Sequence, residues 1–228
     1  IAYSVTVSDS SVDPGQSVTV YWTAKNQGNA SAGSTQQGVM WSTNSTISTY
    51  DTLLEKEYLG SMSVNETTPE AHTITIPSNA TPGNTYYLGV YADYDDDEDE
   101  SNESNNDSSG VSVTINIPPK PDLIVQDISI SPSSPVAGQS VTISTTLKNQ
   151  GDADCGRFYL RYYVDGSYIG EDDCYYGLDS GQSDTEFIST TVASSGNHTI
   201  KVVVDSRDDI QESDEDNNTR EETYYWAT

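Results

Sequence analysis

Asp205-Ser206-Arg207-Asp208-Asp209-Ile210-Gln211-Glu212-Ser213-Asp214-Glu215-Asp216-Asn217-Asn218 stands near the end of the chain. An earlier stretch reads Asp93-Tyr94-Asp95-Asp96-Asp97-Glu98-Asp99-Glu100-Ser101-Asn102-Glu103-Ser104-Asn105-Asn106. Laid over one another without a gap, Asp93, Glu100, Glu103, Asn105 and Asn106 coincide with Asp205, Glu212, Glu215, Asn217 and Asn218. Each copy follows an alternating apolar run, residues 86–92 in one and 199–204 in the other, and period-two alternation is the signature of a strand with one buried face. Each acidic stretch is therefore the loop between the last two strands of a β domain, and its recurrence means that the domain occurs twice.

Working outward, the start of the domain repeats as well. Val18, Val20, Trp22 and Ala24 share one face of a strand that ends in Lys25-Asn26-Gln27-Gly28. Val141, Ile143, Thr145 and Leu147 do the same before Lys148-Asn149-Gln150-Gly151. The 228 residues thus divide into a domain at 1–117, a Pro-Pro-Lys-Pro linker at 118–121 and a domain at 122–228, each of about 110 residues and of ordinary domain size. Thr, Ser, Val and Tyr dominate and no long segment has helical apolar spacing, so the fold class is all-β.

The middle of the domain differs between copies. Domain 1 has a polar excursion at 43–54, whereas domain 2 has two alternating runs joined by Asp165-Gly166, the strongest short signal for a type I′ hairpin. With Asp165 and Gly166 as the turn, Cys174 falls opposite Arg157, two residues from Cys155. A twist or bulge would close that diagonal, so a Cys155–Cys174 disulfide is the expectation, with two free buried thiols as the alternative.

These residues resemble the CARDB family, the cell-adhesion-related domains of bacteria and archaea. The likeness rests on Asp122-Leu123, Gly138-Gln139-Ser140-Val141-Thr142, Lys148-Asn149-Gln150-Gly151, the Val164-Asp165-Gly166 hairpin, and the Glu-Ser-x-Glu-x-Asn-Asn run from Glu212 to Asn218. It covers nearly all of domain 2, while domain 1 departs in its middle. The resemblance implies two tandem seven-stranded immunoglobulin-like β-sandwiches and an extracellular, non-catalytic module.

Nine Lys and Arg stand against 36 Asp and Glu, a formal charge of −27, which repels phosphate backbones and anionic lipid. Nucleic acid is excluded as a partner, and no stretch approaches the roughly 20 apolar residues that insert into a membrane. The acid is concentrated in the two loops, which points to a cation. Asp93, Asp95, Asp97 and Asp99 alternate, so in an extended segment their carboxylates would lie on one side ~7 Å apart, with Glu100 following, and a curved loop could bring two or three of them onto one cation. Asp205, Asp208, Asp209 and Glu212 offer the second set. Ca²⁺ suits such donors, because it takes six to eight hard oxygens in flexible geometry. An EF-hand is rejected, since Glu98 and Ser104 stand where that loop needs Gly and Glu. The paired asparagines are expected to bond the turn backbone.

Catalysis has no foothold in the sequence, where His72 and His198 sit in different domains without a nucleophile beside them. Among 16 Tyr, the outward positions Tyr21, Tyr159 and Tyr163 are candidates for flat sugar-binding platforms. The expectation is a structural or adhesive protein of the cell surface or extracellular space, stabilised by Ca²⁺, with itself (as a fibre) or an extracellular polysaccharide as partner. The alternative is an accessory carbohydrate-binding or spacer module of a larger secreted hydrolase.

Overall fold

The computed structural model describes residues 1–228, which divide between Pro118 and Pro119 into two units. In the first unit the strands are β1 (Ala2–Val7), β2 (Ser11–Val12), β3 (Ser17–Lys25), β4 (Thr35–Ser42), β5 (Thr52–Leu59), β6 (Thr67–Thr75), β7 (Thr85–Tyr91) and β8 (Val111–Ile115). The second comprises β9 (Leu123–Ser131), β10 (Ser140–Asn149), β11 (Phe158–Val164), β12 (Ser167–Cys174), β13 (Ser183–Thr191), β14 (Gly196–Val203) and β15 (Thr219–Trp226). No helix is long and apolar enough to cross a membrane.

Domain 2 is a seven-stranded immunoglobulin-like sandwich, with sheet β13-β10-β9 packed on sheet β12-β11-β14-β15. Domain 1 repeats the plan as β1-β3-β6 on β2-β8-β7-β4-β5. Its eighth strand is the two-residue β2, which pairs parallel to β8, and the same parallel contact shrinks in domain 2 to a single bridge between Val136 and Ala227. Alternation along the strands sets the inner faces. Val18, Val20, Trp22 and Ala24 of β3 are buried, as are Val141, Ile143, Thr145 and Leu147 of β10. Each domain has its own core, around Trp22, Val39, Leu88 and Ile115 in one and around Leu123, Phe158, Tyr162 and Trp226 in the other. At about 1.5–3 kcal/mol for each large side chain removed from water, these clusters are the main force holding each sandwich closed.

The hairpin of domain 2 turns at Asp165 and Gly166, whose φ values of 48° and 76° are those a type I′ turn demands. Its register then corrects the cysteine expectation. Pairing runs Val164↔Ser167 and Tyr163↔Tyr168, but a bulge follows, and Phe158 rather than Arg157 lies opposite Cys174. Cys155 is left three residues away instead of two, bridged to Leu178, and both cysteines are free thiols. The Cys155 thiol bonds the Leu178 carbonyl at 3.4 Å and that of Cys174 bonds Gly177 at 3.5 Å.

Candidate functional site

The two acidic loops leave β7 and β14 through the same turn. Asp93 and Asp205 take φ of 45° and 42°, and Asp96 and Asp208 take 56° and 58°. Aspartate tolerates this left-handed region because its short side chain bonds the local backbone. The Asp93 carboxylate accepts the amides of Asp97 and Glu98, both at 3.0 Å. That of Asp205 accepts Asp209 and Ile210 at 3.1 and 2.9 Å. Both aspartates are buried.

This geometry overturns the extended row of carboxylates. The chain coils around Asp93 instead of passing it in line, so Asp97 and Asp99 face solvent, and Asp95 pairs with Lys56 at 2.5 Å. Asp208 and Asp209 are likewise exposed. Of the sequence-predicted ligands, Asp93, Glu100, Asp205 and Glu212 turn inward, and the other five do not join them.

Inside each loop lies a second layer that the repeat had marked. The Glu100 and Glu212 amides donate to Glu103 and Glu215 at 2.7 Å in both copies. Glu212 is 3% exposed, and its carboxylate accepts the Leu123 amide and, at 2.5 Å, the Asn218 side chain. Burial pushes this carboxyl up to about 7, the nearby charges of Glu215 and Asp205 adding to the effect and the two hydrogen bonds opposing it. Burial also raises Glu100 and Asp205. The asparagines do not serve the turn through their side-chain oxygens as expected. Their NH₂ groups reach carboxylates, Asn218 to Glu212 and Asn217 to Asp122 at 2.8 Å, while the side-chain oxygens of Asn105, Asn106, Asn217 and Asn218 are buried without a donor.

Sequence reasoning missed one acidic group. Cys174, Asp184 and Glu186 hold ligand atoms within 4.8 Å of one another, brought together from β12 and β13, which no spacing along the chain reveals. Burial and the two carboxylates push the Cys174 thiol up to about 12, so it keeps its proton at neutral pH and offers a metal little.

The candidate sugar-binding tyrosines of domain 2 have cationic neighbours. The Arg207 guanidinium lies 3.4 Å from the centre of the Tyr159 ring and Arg157 lies 4.8 Å from it. Lys201 lies over Tyr163 at 5.8 Å. Tyr21 is exposed but stands without either of the others, in the other domain.

His198 has company that the sequence did not show, with Asp165 at 2.6 Å from Nδ1 and the Ser194 hydroxyl at 3.4 Å from Nε2. Yet Nε2 is nearer the Ser194 carbonyl, at 3.1 Å. The ring thus ties the Asp165 turn to the Ser194 loop.

Two sandwiches of one plan, each with an oxygen-rich loop between its last two strands that buries an aspartate, Asp93 or Asp205, define a tandem immunoglobulin-like module protein. The chain belongs to the CARDB family, whose model matches residues 1–110 and 120–222. Among solved structures it is similar to a CARDB domain of Pyrococcus furiosus determined in complex with di-metal ions, at 20% identity over 47% of this chain and 94% of that one, with a TM-score of 0.43. It is also similar to a domain of an inferred cell surface protein of Methanosarcina acetivorans, at 26% identity over 47% of this chain and 92% of that one, with a TM-score of 0.40. No curated protein matches the chain.

Proposed function

We propose that this chain is a non-catalytic structural or adhesive module of the cell surface or extracellular space, and that its two oxygen-rich cages each hold a divalent cation, Ca²⁺ being the ion their donors suit. The observation that carries the cation is the orphaned oxygen of Asn106, a residue only 3% exposed, together with the same orphan at Asn218. A buried carbonyl oxygen without a donor costs about 1–3 kcal/mol, and both copies keep it beside buried carboxylates. Carboxylate and amide oxygens together are the donor set of Ca²⁺ sites. Asp93, Glu100, Asn105 and Asn106 would hold the ion in one domain, and Asp205, Glu212, Asn217 and Asn218 in the other. It would neutralise carboxylates that burial disfavours and fasten the loop between the last two strands. The surface location is supported by the description of the Methanosarcina domain. On this reading the partners are further copies of the chain in a fibre, or an extracellular polysaccharide.

Calorimetry and thermal melting after chelator treatment test the cation. Heat of binding and a rise in melting temperature are expected, at about 4–8 °C for each kcal/mol in a domain of this size. Absence of both at millimolar Ca²⁺ removes the proposal. Asn106→Ala should abolish the domain 1 share alone.

One observation favours the accessory carbohydrate-binding reading. Trp41 and Tyr86 stack at 4.6 Å in a domain 1 cleft that also carries Asp51, Asn79 and the 99% exposed Tyr50. An aromatic wall with polar groups at its edge suits a pyranose better than Tyr21, Tyr159 or Tyr163 does. A glycan array without hits would retire it.

A further inference from the structure

The outer face of the β12-β11-β14-β15 sheet is built differently from its counterpart in domain 1. The two sheets correspond in register, since β4 and β11 each carry a bulge at the same place, between Val39 and Met40 in one and between Tyr162 and Tyr163 in the other. Pairing to β7 and to β14 then sets Gly38, Met40 and Gly89 against Arg161, Tyr163 and Lys201.

In domain 1 the chain covers this face itself. The excursion after β4 folds back over it, bridging Thr46 to Ser109, and Ile47 is 2% exposed. A Cβ on Gly89 would lie 2.4 Å from the Ile47 side chain, and one on Gly38 would lie 2.6 Å from Tyr94 and 3.1 Å from Leu53. Glycine at both positions lets the cover approach, and Met40 beneath it is fully buried.

In domain 2 the turn at Asp165 and Gly166 replaces the excursion, and the same positions carry long side chains. Phe158, Leu160, Tyr162 and Val164 point into the core, so Arg157, Tyr159, Arg161 and Tyr163 point outward. Beside them stand Lys201 of β14, opposite both Tyr163 and Glu221, and Tyr168 of β12, which is 58% exposed. Tyrosine and arginine are the residues enriched where protein surfaces meet.

These side chains are already held in place. Arg157 lies 5.2 Å from the centre of the Tyr175 ring and bonds Asp173 at 2.8 Å, while Glu171 accepts from both Arg161, at 3.3 Å, and Arg207. Arginines fixed by rings and carboxylates lose little freedom on association, which lowers the cost of burying them. The charge is distinctive too. Four of the chain's nine cations, Arg157, Arg161, Lys201 and Arg207, stand here against Glu171, Asp173 and Glu221. A chain of −27 repels a second copy through its acidic surfaces, whereas this patch offers that copy both signs of charge.

We propose that the outer face of β12-β11-β14-β15 is a self-association surface, on which a second copy of this chain seats the same face, with cations pairing to carboxylates across a twofold axis and tyrosines between them. The proposal rests on the reading that further copies are the partners, and it names the surface they use. Sedimentation velocity on the whole chain tests it, at salt high enough to screen the net charge beyond about 8 Å. A rise from the mass of one chain toward that of two is expected between about 1 and about 500 μM. Amide shifts that follow concentration should fall on β11, β12, β14 and β15 and spare β9, β10 and β13. Arg157→Glu and Tyr168→Ser, both at exposed positions, should melt as the parent does and each weaken the dimer at least about tenfold. Undiminished association in either folded variant, or concentration-dependent shifts on the acidic loops instead, would overturn this surface and leave self-association standing. A single-chain mass throughout the range, even with a polysaccharide shifting the same amides, would overturn both the surface and the reading of copies as partners.

Discussion

Glu212→Gln should flatten the pH dependence of domain 2 stability between about pH 4.5 and 7. In the unfolded chain this carboxyl gives up its proton near 4.5, whereas burial keeps the proton on the folded protein until about 7. Between those values the folded state binds the extra proton, so stability falls as pH rises through the window and levels off above it. Moving a carboxyl that far corresponds to about 3 kcal/mol, a large part of the stability of a single domain. Glutamine cannot ionise, so the variant lacks this slope. It does carry a constant cost, because its NH₂ group faces either the Leu123 amide or the Asn218 side chain, both of which are donors. The slope is therefore the readout, not the absolute stability. Urea titrations in chelator at pH 5 and 7.5, followed by hydrogen exchange of the β10 and β11 amides, report on domain 2 alone. With m of about 1–3 kcal/mol/M, the parent midpoint should fall by about 1–3 M more than that of the variant. The Asp205 and Glu186 carboxyls are also raised by burial and add to the slope of both proteins, which is why the difference between them is taken. Equal slopes would mean that Glu212 is already ionised in the folded protein at pH 5, and the account of the cage as a site of costly buried charge would fail. Saturating Ca²⁺, on the proposed reading, should abolish the parent's share of the slope by holding Glu212 ionised.

Two further outcomes follow from the geometry. Asp205→Ala removes the acceptor for both the Asp209 and Ile210 amides and should cost domain 2 about 2–4 kcal/mol, with Asp205→Asn recovering part, as read from the same titrations. The chain should show the same intact mass before and after reduction, and Cys174, buried and with its thiol pushed up to about 12, should alkylate at pH 8 far more slowly than in urea.

What the sequence by itself determined was whatever depends on neighbours along the strand. Alternation placed Val18 to Ala24 and Val141 to Leu147 on inner faces, Asp165-Gly166 announced its turn, and the repeated spacing from Asp93 to Asn106 and from Asp205 to Asn218 marked the corner that carries the cage. What only the tertiary structure decided was which polar groups lose their water. A left-handed turn at Asp93 and Asp205 bends each loop off the extended line, so Asp95, Asp97 and Asp99 end in solvent while Asp93 and Glu212 are buried and Glu100 is half-buried. A single bulge between Tyr162 and Tyr163 shifts the register by one residue and separates Cys155 from Cys174. The Leu123 amide reaches Glu212 across 89 positions of chain. Burial and charge neutralisation are set by such distant partners, and the period of a strand carries no record of them.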